Sequence, residues 1–182
     1  MKIIFLFVPF LLSVNIFAQK LPEIEFTGRP YVLTENGELE NLERADAQVD
    51  IKVKALGYGG SETYYTVFSP TSSINFAKNN LPKIIIKLEG NTDPAEVVVL
   101  SKAIVKKERR RFLQGSNSLV GKARNIGDSF ISLEFKKLEE GVYQIMLPEN
   151  MEAGEYGFMP VINNGKSLLG NSMVKINCFS VE

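Results

Sequence analysis

The alternation of apolar and polar residues along short segments constrains the fold of this chain more than any other feature of its sequence. Val49, Ile51 and Val53 alternate with polar and charged residues. Residues 83–89 and 129–137 repeat the pattern. Because successive side chains of a strand point to opposite faces, this period of two predicts strands with one buried face. We therefore expect these apolar side chains to face the core of an all-β protein.

Turn signals separate these and the other predicted strands. Further strands are predicted at 30–34, 62–68, 73–76, 95–106, 141–147, 154–161 and 173–181. Asn36-Gly37 and Asn164-Gly165 are strong hairpin signals, because asparagine and glycine tolerate positive φ. Residues 38–47 permit a competing helical interpretation, and the hairpin at Asn36-Gly37 is favoured over it. Short strands about ten residues apart predict a sandwich or a barrel.

The segment that contains Gly154, Tyr156 and Phe158 is typical of an immunoglobulin-like sandwich. In such domains a tyrosine near the start of the sixth strand bonds back to the backbone, and a core residue follows two positions later. Tyr156 and Phe158 have this spacing, and Gly154 permits a close approach of the chain before them. The alternative is that Tyr156 stacks on a ligand. The favoured prediction is an antiparallel immunoglobulin-like β-sandwich of about seven to nine strands, without the tryptophan and cysteine pair of antibody domains.

Residues 1–18 have the layout of a secretory signal peptide. Lys2 precedes the apolar run of residues 3–12, and Ala18 offers a small residue for cleavage. The run is shorter than the roughly 20 residues of a membrane-spanning helix, which is the alternative interpretation. We expect cleavage near Ala18 and a single domain over residues 19–182 that is periplasmic or extracellular and has no membrane span.

The charge balance and the missing residue types exclude several classes of function. The chain has 21 basic and 21 acidic residues, and loss of Lys2 with the leader leaves a net charge of −1. This balance provides no long-range attraction for nucleic acid. Histidine is absent, which removes histidine-dependent nucleophilic catalysis and histidine metal sites, and no cofactor or metal is expected. The lone Cys178 cannot form an internal disulfide and is expected to be buried.

The strongest charge feature is the basic run at residues 106–111. On a continuing strand, Lys107, Arg109 and Arg111 project from one face. Lys106 and Arg110 project from the other face. The functional interpretation is a binding surface for acidic glycans, lipid phosphates or the carboxylates of a partner protein. The alternative, which is favoured, is a solvated strand end that discourages edge-to-edge aggregation.

A second candidate surface contains Tyr58, Tyr64 and Tyr65 beside the glycines of residues 57–61. Tyrosine in recognition loops gives a large contact area at a low cost in conformational entropy. The alternative is that Tyr64 and Tyr65 lie on a strand and one of them packs inward. This alternative is favoured.

Several short phrases occur in an order that resembles a known group of proteins. They are residues 28–33, residues 39–43, the turn at 57–60, Asp93-Pro94 and the closing strand at 178–181. Gly154-Glu155-Tyr156, a small residue and Phe158 complete the series. This order resembles an uncharacterised family of exported Gram-negative bacterial proteins. The resemblance implies an exported β-sandwich, and it implies no activity and no site residues.

The expected function is non-enzymatic: an exported binding or scaffold module of the bacterial envelope that engages a protein partner or a surface glycan. This expectation follows from the missing catalytic residues and from a fold that presents loops on a rigid frame. There are two alternatives. A carboxylate-dependent glycan hydrolase would need two carboxylates facing across a cleft. A carrier of a small apolar ligand would need an interior cavity.

Overall fold

The computed structural model describes residues 21–54, 60–117, 129–161 and 173–182, and these residues form an all-β structure. Within these ranges the helical content is a 3-10 turn at Pro94–Glu96 and the single 3-10 residue Ser129. None of these residues belongs to a helix that is long and apolar enough to cross a membrane. The predicted signal peptide, Tyr58 and the predicted turn at Asn164-Gly165 lie outside the described residues.

Fourteen strands follow one another along the described parts of the chain. They are β1 (Pro30–Leu33), β2 (Leu39–Asn41), β3 (Glu43–Val53), β4 (Ser61–Val67), β5 (Asn75–Phe76), β6 (Lys83–Lys87), β7 (Val98–Lys102), β8 (Ile104–Lys106), β9 (Arg109–Asn117), β10 (Phe130–Ile131), β11 (Glu134–Glu139), β12 (Val142–Met146), β13 (Gly154–Pro160) and β14 (Met173–Val181). This number exceeds the predicted seven to nine. Some predicted strands divide, as 95–106 does at Ala103, whose amide bonds to the carbonyl of Glu155 at 2.8 Å.

The strands form two sheets in a sandwich-like arrangement. The five-stranded sheet has the order β11-β12-β6-β1-β2. The second sheet has the order β10-β7-β13-β14-β3-β4-β9-β8, and β5 adds to it by a parallel pairing with β14. Because β7 and β8 are consecutive in the chain yet lie near opposite ends of this order, the second sheet curls into a half-barrel. We call it the curled sheet. The prediction of an all-β protein with antiparallel sheets is confirmed.

The curled sheet buries both of its faces along β13 and β14. On one face Tyr156, Phe158 and Phe179 pack against the five-stranded sheet, where Ile84 and Ile145 meet them. The ring centroids of Phe158 and Phe179 are 5.7 Å apart, and those of Tyr156 and Phe179 are 5.5 Å apart. Full burial of an apolar side chain of this size contributes about 1.5–3 kcal/mol. This layer therefore joins the two sheets.

The other face of β13 and β14 lines the inside of the curl. Tyr65, Phe112, Met159 and Ile176 are fully buried there together with Cys178. Burial raises the pKa of the Cys178 thiol to about 12, because the thiolate would be poorly solvated at this position. The predicted burial of Cys178 is confirmed.

The environment of Tyr156 is the clearest local feature of this core. Its hydroxyl donates to the carbonyl of Glu152 at 2.6 Å, four residues upstream. Gly154 has φ of 149° at the start of β13, and a Cβ there would lie 2.7 Å from Cε of Lys102. Glycine is therefore favoured at position 154 by its backbone conformation, whereas the end of the Lys102 side chain could move aside for a Cβ.

The hairpin predicted at Asn36-Gly37 is present, with Gly37 at φ 81° and β1 paired antiparallel to β2. The competing helical interpretation of residues 38–47 is therefore wrong. The strand is stabilised here because Leu39 pairs with Leu33 across the hairpin and packs with it on the outer face of the five-stranded sheet.

The expectation that Ile51 and Val53 face the core is wrong. Their side chains are 52% and 60% exposed. In the described part of the chain, β14 pairs with β3 only as far as Gln48, so the far end of β3 is paired with β4 alone. The partners on β4 are the polar Thr63 and Ser61. Alternation thus identified the strand correctly, but burial depends on which distant segments reach it.

Candidate functional site

The basic run at residues 106–111 forms a hairpin and not a continuing strand. Lys106 at the end of β8 pairs with Arg109 at the start of β9, so Lys107 and Glu108 form the turn. Lys107 has φ of 57°, the only positive value among the described residues other than glycine. Residues 106–111 carry no turn signal, because they contain no glycine, asparagine or proline.

Lys107 occupies a left-handed conformation that is costly for a residue with a Cβ. Lys107→Gly is therefore expected to raise the free energy of unfolding by about 0.5–1 kcal/mol, since glycine adopts this conformation without strain. Urea denaturation followed by circular dichroism measures the change. Glu108→Gly is the matched control in the same turn, because Glu108 has no positive φ, and it is expected to lower the stability. Equal effects of the two changes would contradict this explanation.

Arg109 and Arg111 leave the hairpin on the same face, and each is stacked on an aromatic ring. The guanidinium carbon of Arg109 lies 4.6 Å from the ring centroid of Phe68. That of Arg111 lies 4.2 Å from the ring centroid of Tyr64. Among the residues that the structure describes, neither arginine forms an ion pair with a carboxylate. Each guanidinium thus lies over an aromatic ring, and neither is neutralised by a carboxylate of the described residues, so both can donate to a ligand.

These side chains border an open groove of about 750 Å³. Four cationic side chains line it, namely Lys106, Lys107, Arg109 and Arg111, together with the carboxylates of Asp50 and Glu108. We call the four cations the hairpin patch. Asp50 is engaged by the hydroxyl of Thr66, which donates to it at 2.6 Å. Cations thus outnumber carboxylates in the groove, which suits it to an anionic group.

Tyr64 is a strand residue and not a loop residue. It lies in β4, and its side chain is buried under Arg111. Its hydroxyl donates to Glu62 at 2.8 Å, and Glu62 also accepts from Lys54 at 2.5 Å. Tyr65 is fully buried on the opposite face, so both tyrosines are buried where one was expected to be. Tyr64 therefore supports Arg111 and does not present an exposed recognition ring.

Arg110 is not part of the surface. Its side chain is completely buried on the inner face of the curled sheet. Both terminal nitrogens donate to Glu43, at 2.6 and 3.1 Å, and Nη1 also lies 3.4 Å from Glu155. Nε donates to the carbonyl of Ser69 at 3.0 Å. The interpretation of Arg110 as a binding residue is therefore wrong, because the alternation along β9 turns it into the interior.

The two glutamates that hold Arg110 also fix the loop after β4. Glu155 accepts from the amide of Ser72 at 2.8 Å, and Glu43 accepts from the amide of Ser73 at 3.1 Å. Burial raises the pKa of Glu155, and the hydrogen bond from Ser72 and the charge of Arg110 offset this only in part. Burial also acts on Glu43, but hydrogen bonds from Arg110 and Ser72 outweigh it and lower its pKa. The cluster thus joins β3, β9, β13 and this loop.

The structure therefore brings together Lys107, Arg109, Arg111 and Tyr64 and separates Arg110 from them. The sequence interpretation missed Phe68, which holds Arg109. The signal was available, because Tyr64, Thr66 and Phe68 share one side of an alternating segment. Within the described residues no group of three or more acidic, cysteine or histidine side chains is placed to hold a metal ion.

No protein-family model, curated protein or solved structure matches this chain. The resemblance to exported Gram-negative proteins thus stays a prediction.

Proposed function

We propose that this chain is an exported, non-enzymatic binding module of the bacterial envelope, which holds an anionic group of a partner protein or a surface glycan on the hairpin patch. The observation that carries the proposal is the pair of stacked arginines, Arg109 on Phe68 and Arg111 on Tyr64. Contact with the rings restricts both side chains before a ligand arrives, so less side-chain entropy is lost on binding.

Arginine is suited to this role because its planar fork matches a carboxylate, sulfate or phosphate group with two parallel hydrogen bonds. Lys106 and Lys107 add charge at the tip of the hairpin. The hairpin lies at the end of the curled sheet, where β8 pairs with β9 and with no other described strand.

The same proposal includes two further points, namely that the chain is exported and that its fold is an immunoglobulin-like sandwich. Residues 1–18 support export through the signal-peptide layout of their sequence. The hydrogen bond from Tyr156 to the carbonyl of Glu152 supports a tyrosine corner of the kind found in immunoglobulin-like sandwiches. Such sandwiches commonly present binding surfaces on a rigid frame.

The hydrolase alternative would need two carboxylates that face each other across an open cleft. Glu43 and Glu155 approach each other in the described structure, but both are bound to Arg110 and to loop amides. A carboxylate engaged in this way is not available as a nucleophile or a general acid. This pair therefore gives the hydrolase alternative no support.

Binding of the purified chain to immobilised polyglutamate and to a sulfated glycan tests the proposal. We expect the double variant Arg109→Gln/Arg111→Gln to bind at least about tenfold more weakly, because each charge-assisted hydrogen bond contributes about 1.5–3 kcal/mol. The matched control is Lys83→Gln/Lys136→Gln, which removes the same charge from exposed positions of the five-stranded sheet. The ligand that discriminates between the two variants identifies the partner class. Equal losses in both variants would show that net charge alone is sensed, and the proposal would be wrong.

A further inference from the structure

A cavity of about 410 Å³ lies farther along the β8–β9 hairpin from its basic tip, next to Ile104 and Leu113. It lies between the end of β7, the strand pair β8–β9 and the loop that joins β12 to β13. Much of its wall is apolar and includes Ile104, Leu113, Phe130, Ile131 and Met151. Its volume falls in the range of pockets that bind small molecules, roughly 300–1,000 Å³.

An ion pair stands at the rim of this cavity. Nζ of Lys102 lies 2.6 Å from the carboxylate of Glu152. The two partners differ in how firmly they are held. The side chain of Glu152 is 80% exposed, whereas Lys102 packs its stem against Gly154 and places its ammonium 5.9 Å from the ring centroid of Tyr156. Lys102 is thus a positioned cation, and Glu152 is a partner that can leave for water at little cost.

We propose that this cavity binds a small amphipathic monocarboxylate. The apolar body of the ligand packs against Ile104, Phe130 and Ile131, and its carboxylate replaces that of Glu152 on Nζ of Lys102. Two observations carry this assignment: a cavity of suitable volume with apolar side chains on part of its wall, and a lysine at its rim whose partner in the described structure is already a carboxylate. The site uses none of the four cations of the hairpin patch, so a failure of the proposed function would not contradict this assignment.

The absence of tryptophan from the chain provides a direct assay. Ile104→Trp places one indole at the cavity wall, and the side chain it replaces is 42% exposed, so the larger ring has room. Val105→Trp is the matched control, because Val105 is 49% exposed and lies on the opposite face of β8. Each variant is titrated with decanoate and with decanol while tryptophan emission is recorded. Calorimetric titration of the unsubstituted chain with decanoate gives the affinity without a reporter.

Decanoate is expected to change the emission of Ile104→Trp saturably and to leave that of Val105→Trp unchanged. Glu152→Gln removes the internal competitor and is expected to tighten decanoate binding by about twofold to fivefold, since an exposed ion pair contributes up to about 1 kcal/mol. Lys102→Met is expected to abolish the preference for decanoate over decanol, whereas Lys106→Met outside the cavity keeps it. The assignment would be overturned if neither assay showed saturable binding of decanoate. It would also be overturned if decanol bound as tightly as decanoate, or if Glu152→Gln left the affinity for decanoate unchanged.

Discussion

Arg110→Met is expected to lower the free energy of unfolding by about 3–5 kcal/mol, a large share of the stability of a typical domain. Arg110 is completely buried, and the change leaves the buried Glu155 and the partly buried Glu43 without their counter-charge. The loop carbonyl of Ser69 also loses its donor. Removal of one partner from a buried ionic cluster costs far more than the pair itself contributes, because the remaining charges cannot be solvated.

Urea denaturation at neutral pH measures this loss. The matched control is Arg109→Met, one residue away, which removes the same type of side chain from the exposed face. Its effect is expected to stay within about 1 kcal/mol, as for other surface substitutions that break a single stacking contact. Adding Glu43→Gln and Glu155→Gln to Arg110→Met removes the unpaired charges and is expected to restore part of the stability. A single variant Arg110→Met as stable as the unsubstituted chain would contradict this account of the cluster.

The contrast between Arg109 and Arg110 shows how far the sequence predicts the site. Alternation correctly placed the two arginines on opposite faces of a strand. It could not tell that the face of Arg110 is the interior, because this depends on the curl of the sheet. The curl is produced by pairings between distant strands, and Glu43 and Glu155 reach Arg110 from two such strands.

The same limit explains the other differences. Most predicted strands are present because the period of two is a local signal. The exposure of Ile51 and the turn at Lys107 were missed for opposite reasons. Ile51 has the correct local pattern but lacks a distant partner among the described residues. Lys107 lacks the local turn signal, yet the pairing of β8 with β9 imposes a turn there. Local propensity yields to tertiary context in both cases.

Gly157→Val is expected to destabilise the fold by about 3 kcal/mol or more, at the upper end of the cost of overpacking a core. Gly157 lies on β13 with its missing side chain directed into the curl. A Cβ at this position would lie 2.8 Å from Cγ2 of Ile176 and 2.8 Å from Cε1 of Phe112. Both neighbours are fully buried, so neither can move into solvent to make room. The small residue between Tyr156 and Phe158 is therefore required by packing.

Gly157→Ala separates this steric effect from backbone propensity, since alanine in a strand would otherwise gain about 0.5–1 kcal/mol over glycine. Gly115→Ala is the control, because a Cβ there would meet Thr63 at an ordinary contact distance of 3.7 Å. Gly115→Ala is expected to be neutral or stabilising, and Gly157→Ala is expected to lose about 1–3 kcal/mol of unfolding free energy in thermal and urea unfolding.

Phe112→Leu in the Gly157→Ala background removes one of the two clashing groups. The double variant should therefore lose less stability than the sum of the losses of the two single variants. Additive losses would show that the cost at position 157 comes from the backbone and not from the close approach of Phe112.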